Sequence, residues 1–101
     1  MEKLKGSQRK YLRGLAHSLK PVVLIGKQGL AGSVVAAINE ALDAHELIKV
    51  RFIDFKEREE KEEISSEIEA ATTSSCVGMI GHHSIFYRQH RDPKKRKITL
   101  P

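Results

Sequence analysis

The apolar residues change period several times along the chain, and each change marks an element. Behind Ser7, a good helix N-cap, Leu12, Leu15, Ala16 and Leu19 recur at three- and four-residue spacing and predict a helix over 7–19. Lys20-Pro21 ends it, because the residue before a proline is pushed toward extended angles. Val22-Val23-Leu24-Ile25 then reads as a short buried strand. After a glycine loop, Leu30, Val34, Ala37, Ile38, Ala41 and Leu42 restore the helical period to about His45. From Leu47 to Phe55 the period falls to two, with Ile48, Val50 and Phe52 alternating against Lys49, Arg51 and Ile53. That strand has one apolar and one partly basic face, so part of the sheet is expected to lack a covering helix; Lys49 and Arg51 themselves read as ordinary surface residues. Ile64, Ile68 and Ala71 supply the narrow apolar stripe of a third helix over 57–73. Cys76–Ile80 and Ser84–Arg88 flank the turn Gly81-His82-His83 as an antiparallel hairpin.

The order is α-β-α-β-α-β-β, a single α/β domain. Two strand–helix–strand crossovers imply parallel pairing with right-handed connections, and the hairpin adds an antiparallel strand, so a mixed four-stranded sheet is expected. A chain of 101 residues can bury one core of this kind without disulfides. The one cysteine, Cys76, has no partner for an internal disulfide. No apolar run approaches the ~20 residues of a membrane span, and Met1-Glu2-Lys3 opens a polar segment, so a cytoplasmic protein without membrane attachment is expected.

Charge adds what periodicity leaves out. The net charge is +5, but its distribution is uneven: residues 1–20 hold six Lys/Arg against Glu2, and residues 70–101 hold six against Asp92. Residues 54–69 hold three basic against eight acidic groups. Basic ends and an acidic inner segment suit a surface that faces a polyanion on one side only. Arg9, Arg13, His17 and Lys20 form a second stripe on the first helix, and Lys94-Lys95-Arg96-Lys97 make the tail after Arg88 a plausible flexible polyanion-binding arm, although Ile98-Thr99-Leu100 could fold back.

The chemistry centres on Gly26-Lys27-Gln28-Gly29, between the first strand and second helix. Glycines let a ligand's backbone approach, and a helix N-terminus favours the negative charge of phosphate. The loop lacks the Gly-x-x-x-x-Gly-Lys-Ser/Thr spacing of a P-loop and the Gly-x-Gly-x-x-Gly of a dinucleotide site. No Ser–His–Asp set is discernible, Cys76 reads as a small buried thiol, and His82 and His83 stand without a neighbouring Cys or acidic ligand, so neither a catalytic residue, a metal nor a cofactor is expected. A Gly-x-x-Gly loop is instead the device by which KH domains clamp a single-stranded nucleic-acid backbone. The strands carry no exposed aromatic pair of the kind with which RRM sheets stack bases, which leaves phosphate contact and shape as the expected basis of binding.

Leu15–Leu30, His45–Val50 and Ile80–Arg88 closely resemble the CRM domain family, specifically stand-alone bacterial YhbY-type proteins. The resemblance implies an RNA-binding domain over 1–97 with a short tail at 98–101, and a fold similar to the C-terminal domain of translation initiation factor three. It further implies a non-enzymatic role in ribosome assembly, with ribosomal RNA in large-subunit precursors as partner; a monomer is expected. Carried onto this chain, the RNA-contacting loop is Gly26, Lys27, Gln28 and Gly29, supported by Arg9, Arg13, His17, Lys20, Arg88, Lys94, Lys95, Arg96 and Lys97. Two alternatives stay open: a small nucleotide-binding enzyme using the glycine loop for a cofactor phosphate, and a protein–protein adaptor working through the acidic third helix.

Overall fold

Two apolar faces on one sheet account for the architecture. The computed structural model describes residues 3–101; Met1 and Glu2, counted above in the polar start of the chain, lie outside the described residues. The elements are α1 (Gly6–Ala16), β1 (Val23–Ile25), α2 (Gly32–His45), β2 (Leu47–Phe52), α3 (Arg58–Thr72), β3 (Ser75–Ile80) and β4 (His83–Tyr87), followed by a 3₁₀ turn at Pro93–Lys95. Ile38 and Leu42 of α2 and Ile68 of α3 pack with Val23, Ile25, Ile48, Val50, Phe52 and Phe86 on one face. Leu12 and Ala16 of α1 pack with Leu47, Val77, Ile85 and Tyr87 on the other. The strict alternation of β2, with Ile48, Val50 and Phe52 on one side and Leu47 on the other, feeds both cores at once.

The strand order is β1-β2-β4-β3. β1 pairs with β2 in parallel, as expected for the first crossover. The second expected parallel pair does not form, because β4 lies between β2 and β3 and is antiparallel to both. The physical reason is burial: Ser84–Tyr87 are all buried, a run that only a central strand with both faces covered can accommodate. β3, with Ser75, Gly78 and a bulge between Cys76 and Gly78, is the better edge. Arg9 donates from Nη2 to the Cys76 carbonyl at 2.6 Å and Arg13 from Nη1 to the Val77 carbonyl at 2.9 Å, occupying two carbonyls of this edge strand at the bulge.

Several boundaries shift for identifiable reasons. Ser7 is not the N-cap of α1; the helix begins one residue earlier, and the Gln8 carboxamide accepts from the Lys5 N–H at 2.9 Å. α1 ends at Ala16 instead of 19, closing with a turn in which the Leu19 N–H donates to the Ala16 carbonyl at 3.0 Å before Pro21 imposes extension. α2 begins at Gly32, two residues later than the apolar period suggested, because Leu30 packs against the core from the loop. β2 stops at Phe52, where Ile53 and Asp54 both donate to the Ile25 carbonyl and the chain turns away.

The tail is not a flexible arm. Glu46, between α2 and β2, is 1% exposed and its carboxylate accepts from the N–H groups of His90 at 2.7 Å, Lys97 at 2.6 Å and Ile98 at 3.0 Å. Three donors replace the water that burial removes from this carboxylate. Ile98 and Leu100 then pack against the α1 cluster, so the chain end folds back onto the sheet.

Candidate nucleic-acid interface

The glycine loop is a tight turn at the C-terminal end of β1. The Gly29 N–H donates to the Gly26 carbonyl at 2.9 Å, which places Lys27 and Gln28 at the corners, both exposed. Gly29 has φ +63°, a left-handed conformation that disfavours any side chain, and it lies over the Phe55 ring. Gly26 differs, because a Cβ there would meet nothing within 4 Å. The fold itself has no need of glycine at position 26, whereas a ligand backbone pressed against the turn would. Ala31 caps α2 without a side-chain hydrogen bond, and the first turn of α2 contains no acidic residue. Neither the N-cap nor the first turn of that helix thus supplies an anion to its positive end, close behind the turn.

The remaining expected site residues fall into two further groups. On α1, His17 and Lys20 are exposed, while Arg9 and Arg13 are half-buried and each gives one N–H to the β3 edge. The Arg13 stem also covers Gly78, where an added Cβ would lie 2.6 Å from Arg13 Cδ. Arg88 is committed inside the fold: its guanidinium donates to the Asn39 side chain at 2.7 Å, the Thr72 carbonyl at 2.7 Å, the Asn39 carbonyl at 3.1 Å and Asp43 at 2.9 Å. It joins α2, α3 and β4. Lys94–Lys97 sit with it at the Glu46 end of the sheet, and six-residue β2 separates that end from the glycine loop by about 17 Å at the usual strand rise.

A feature that periodicity hinted at becomes concrete in the register. Leu24 pairs with Arg51, Arg51 with His83, and His83 with Ile80, so these four side chains form one row across all four strands on the α1 face. α1 covers the rows toward the Glu46 end and stops short of this one: Leu24 is 56% and Ile80 52% exposed. Lys49 stands on the same face, opposite Ile85. The His83 imidazole is pushed below the usual histidine range, first by desolvation and then by the positive charges of Lys49 and Arg51. The turn before it is braced by Lys61, whose Nζ donates to the Gly81 carbonyl at 2.6 Å and lies 3.5 Å from His82 Nδ1. The alternation of β2 already sets Lys49 and Arg51 on one face; the register is what brings Arg51 into line with Leu24, His83 and Ile80.

The CRS1 / YhbY (CRM) domain family matches residues 4–88. This chain belongs to that family. The CRM match is accompanied by a protein of Haemophilus influenzae named RNA-binding protein, 42% identical over 101 residues and spanning 100% of this chain and 98% of its own length. A protein of Bacillus subtilis named as a probable RNA-binding protein is 35% identical over 98 residues, covering 97% of this chain and 99% of its own. The solution structure of a hypothetical protein of Staphylococcus aureus superposes with a TM-score of 0.82 at 34% identity, over 98% of this chain and 100% of that one. The three-helix, four-stranded CRM architecture is thus shared along nearly the full length. Among the described residues, no group of three or more His, Cys, Asp or Glu is placed to hold a metal ion, and no helix is long and apolar enough to cross a membrane.

Proposed function

We propose that this CRM-family chain is a non-enzymatic, cytoplasmic RNA-binding protein that engages ribosomal RNA in large-subunit precursors through the Gly26–Gly29 turn and its basic surroundings. One observation carries the reading: Gly26 is a glycine with open space around it, in an exposed turn with Lys27 beside a helix N-terminus whose N-cap, Ala31, makes no side-chain hydrogen bond. A phosphodiester backbone satisfies that combination, since it brings anionic oxygens close to backbone amides. Support for RNA comes from the names of the relatives, and the resemblance to YhbY-type proteins directs the proposal to the large ribosomal subunit.

The test is titration of large-subunit ribosomal RNA fragments, together with sedimentation of extracts containing the tagged chain. Lys27→Ala and Gly26→Val are expected to weaken binding without changing the circular dichroism spectrum, and the wild type to travel with large-subunit precursors. Equal affinity of both variants and wild type would remove the turn from the interface.

A further inference from the structure

The half of the sheet face that α1 leaves open is built unlike an ordinary solvated strand surface. Its row runs apolar, basic, aromatic, apolar: Leu24, Arg51, His83, Ile80, with Lys49 beside Arg51. Successive strands stand about 4.8 Å apart, so the four side chains span roughly 14 Å. The row contains no acidic residue, and the charges that act on His83 come from Lys49, Arg51 and His82, all on the cationic side. Leu24 lies two residues before Gly26, so the row adjoins the glycine turn without an intervening element.

We infer that this open row is a second RNA subsite, which takes an unstacked nucleotide of a single-stranded segment running on from the glycine turn. The inference rests on the RNA-binding reading above and adds to it where a base sits. Unstacked bases are held on aromatic rings or on the plane of an arginine guanidinium, and His83 and Arg51 offer one of each as register neighbours. Leu24 and Ile80, exposed at the two ends of the row, flank that pair with apolar surface; the sugar-phosphate exterior of a duplex would leave them facing polar groups. Lys49 and Arg51 neutralise the phosphates on either side. An imidazole disfavoured from charging by its surroundings serves as a stacking plane and not as an ion-pair partner, which matches the depressed proton affinity of His83. The RRM-type aromatic pair that the strands lack is replaced here by a single ring and a guanidinium.

The experiment is fluorescence anisotropy with a short mixed-sequence single-stranded RNA and its duplex, at pH 7.5 and fixed salt, on wild type, Lys27→Ala, Arg51→Ala, His83→Ala and His83→Phe. Tighter binding of the single strand is expected, with His83→Ala weakening it about tenfold and His83→Phe restoring it. Arg51→Ala should weaken it and lower the salt slope by about one phosphate's share. If Lys27→Ala weakens binding while the Arg51 and His83 variants match wild type, the turn binds alone and the sheet subsite is overturned with the RNA-binding reading intact. If wild type binds no RNA at all, both fail together. Failure of His83→Phe to restore affinity, or equal binding of duplex and single strand, also overturns the subsite. So does a concentration-dependent dimer of the free protein that Leu24→Arg abolishes, which would give the row to a second copy of the chain.

Discussion

Gly29 holds a left-handed φ of +63°, whereas a methyl group at Gly26 would meet open space, so the two glycines of one motif answer to different demands. Gly29→Ala is expected to lower the unfolding free energy by about 1 kcal/mol, the usual cost of a Cβ in this region. Gly26→Ala should leave the denaturation midpoint unchanged and act only on RNA affinity; urea melts and anisotropy on the same two proteins separate the cases. Tyr87 poses a different single-residue question. Its hydroxyl is buried and has no hydrogen-bond partner among the described residues, and burial followed by the Glu46 charge pushes its proton affinity up. Removing the oxygen in Tyr87→Phe abolishes the need to desolvate it and is expected to stabilise the domain by about 1 kcal/mol, read as a raised thermal midpoint. Cys76 is likewise held in its neutral form, chiefly by burial and also by Glu69, so its thiolate is scarce at pH 8. Iodoacetamide should alkylate it much more slowly in native protein than in urea; equal rates would mean that the β3 edge opens readily.

At the scale of elements, side chains that sequence pattern marks as surface charge turn out to join distant segments. Glu46 follows α2 with a φ of 62°, its backbone bonded to Leu42 and Arg88 and its carboxylate to three tail amides. Glu46→Ala should cost about 2 kcal/mol and speed amide exchange at His90, Lys97 and Ile98 specifically. Unchanged exchange there would mean that packing of Ile98 and Leu100 suffices to hold the tail. The helix and strand types were legible because periods of 3.6 and 2 are local properties, and every predicted helix and strand is present. Element ends were less so. Gln8 reaching back to Lys5 replaces a serine cap, and Leu30 belongs to the core without belonging to the helix. The place of β4 was missed because a hairpin fixes which strands are joined and leaves open which of them faces β2.

At the scale of the molecule, the basic residues are distributed over two ends of the sheet. Turn and open sheet row lie at one end, Arg88 and Lys94–Lys97 at the other, and α1 crosses between. A short RNA single strand should respond to Lys27→Ala and ignore Lys94→Ala/Lys95→Ala, while a long structured fragment should respond to both; titrating the two RNAs against the two variants measures this separation. If three to five phosphates are held, the slope of log K against log salt for single strands is expected near −2 to −4. The sequence by itself determined the elements, the uneven charge, the glycine turn and the family, because each is written in neighbouring residues. Only the tertiary structure decided which charges are spent and which remain free. Arg9 meets Cys76 across 67 positions, Arg88 meets Asn39 across 49, and Ile98 meets Glu46 across 52. Contacts of such separation are set by how the elements pack, and the same packing halts α1 one row short, leaving Arg51 exposed and His83 half-buried.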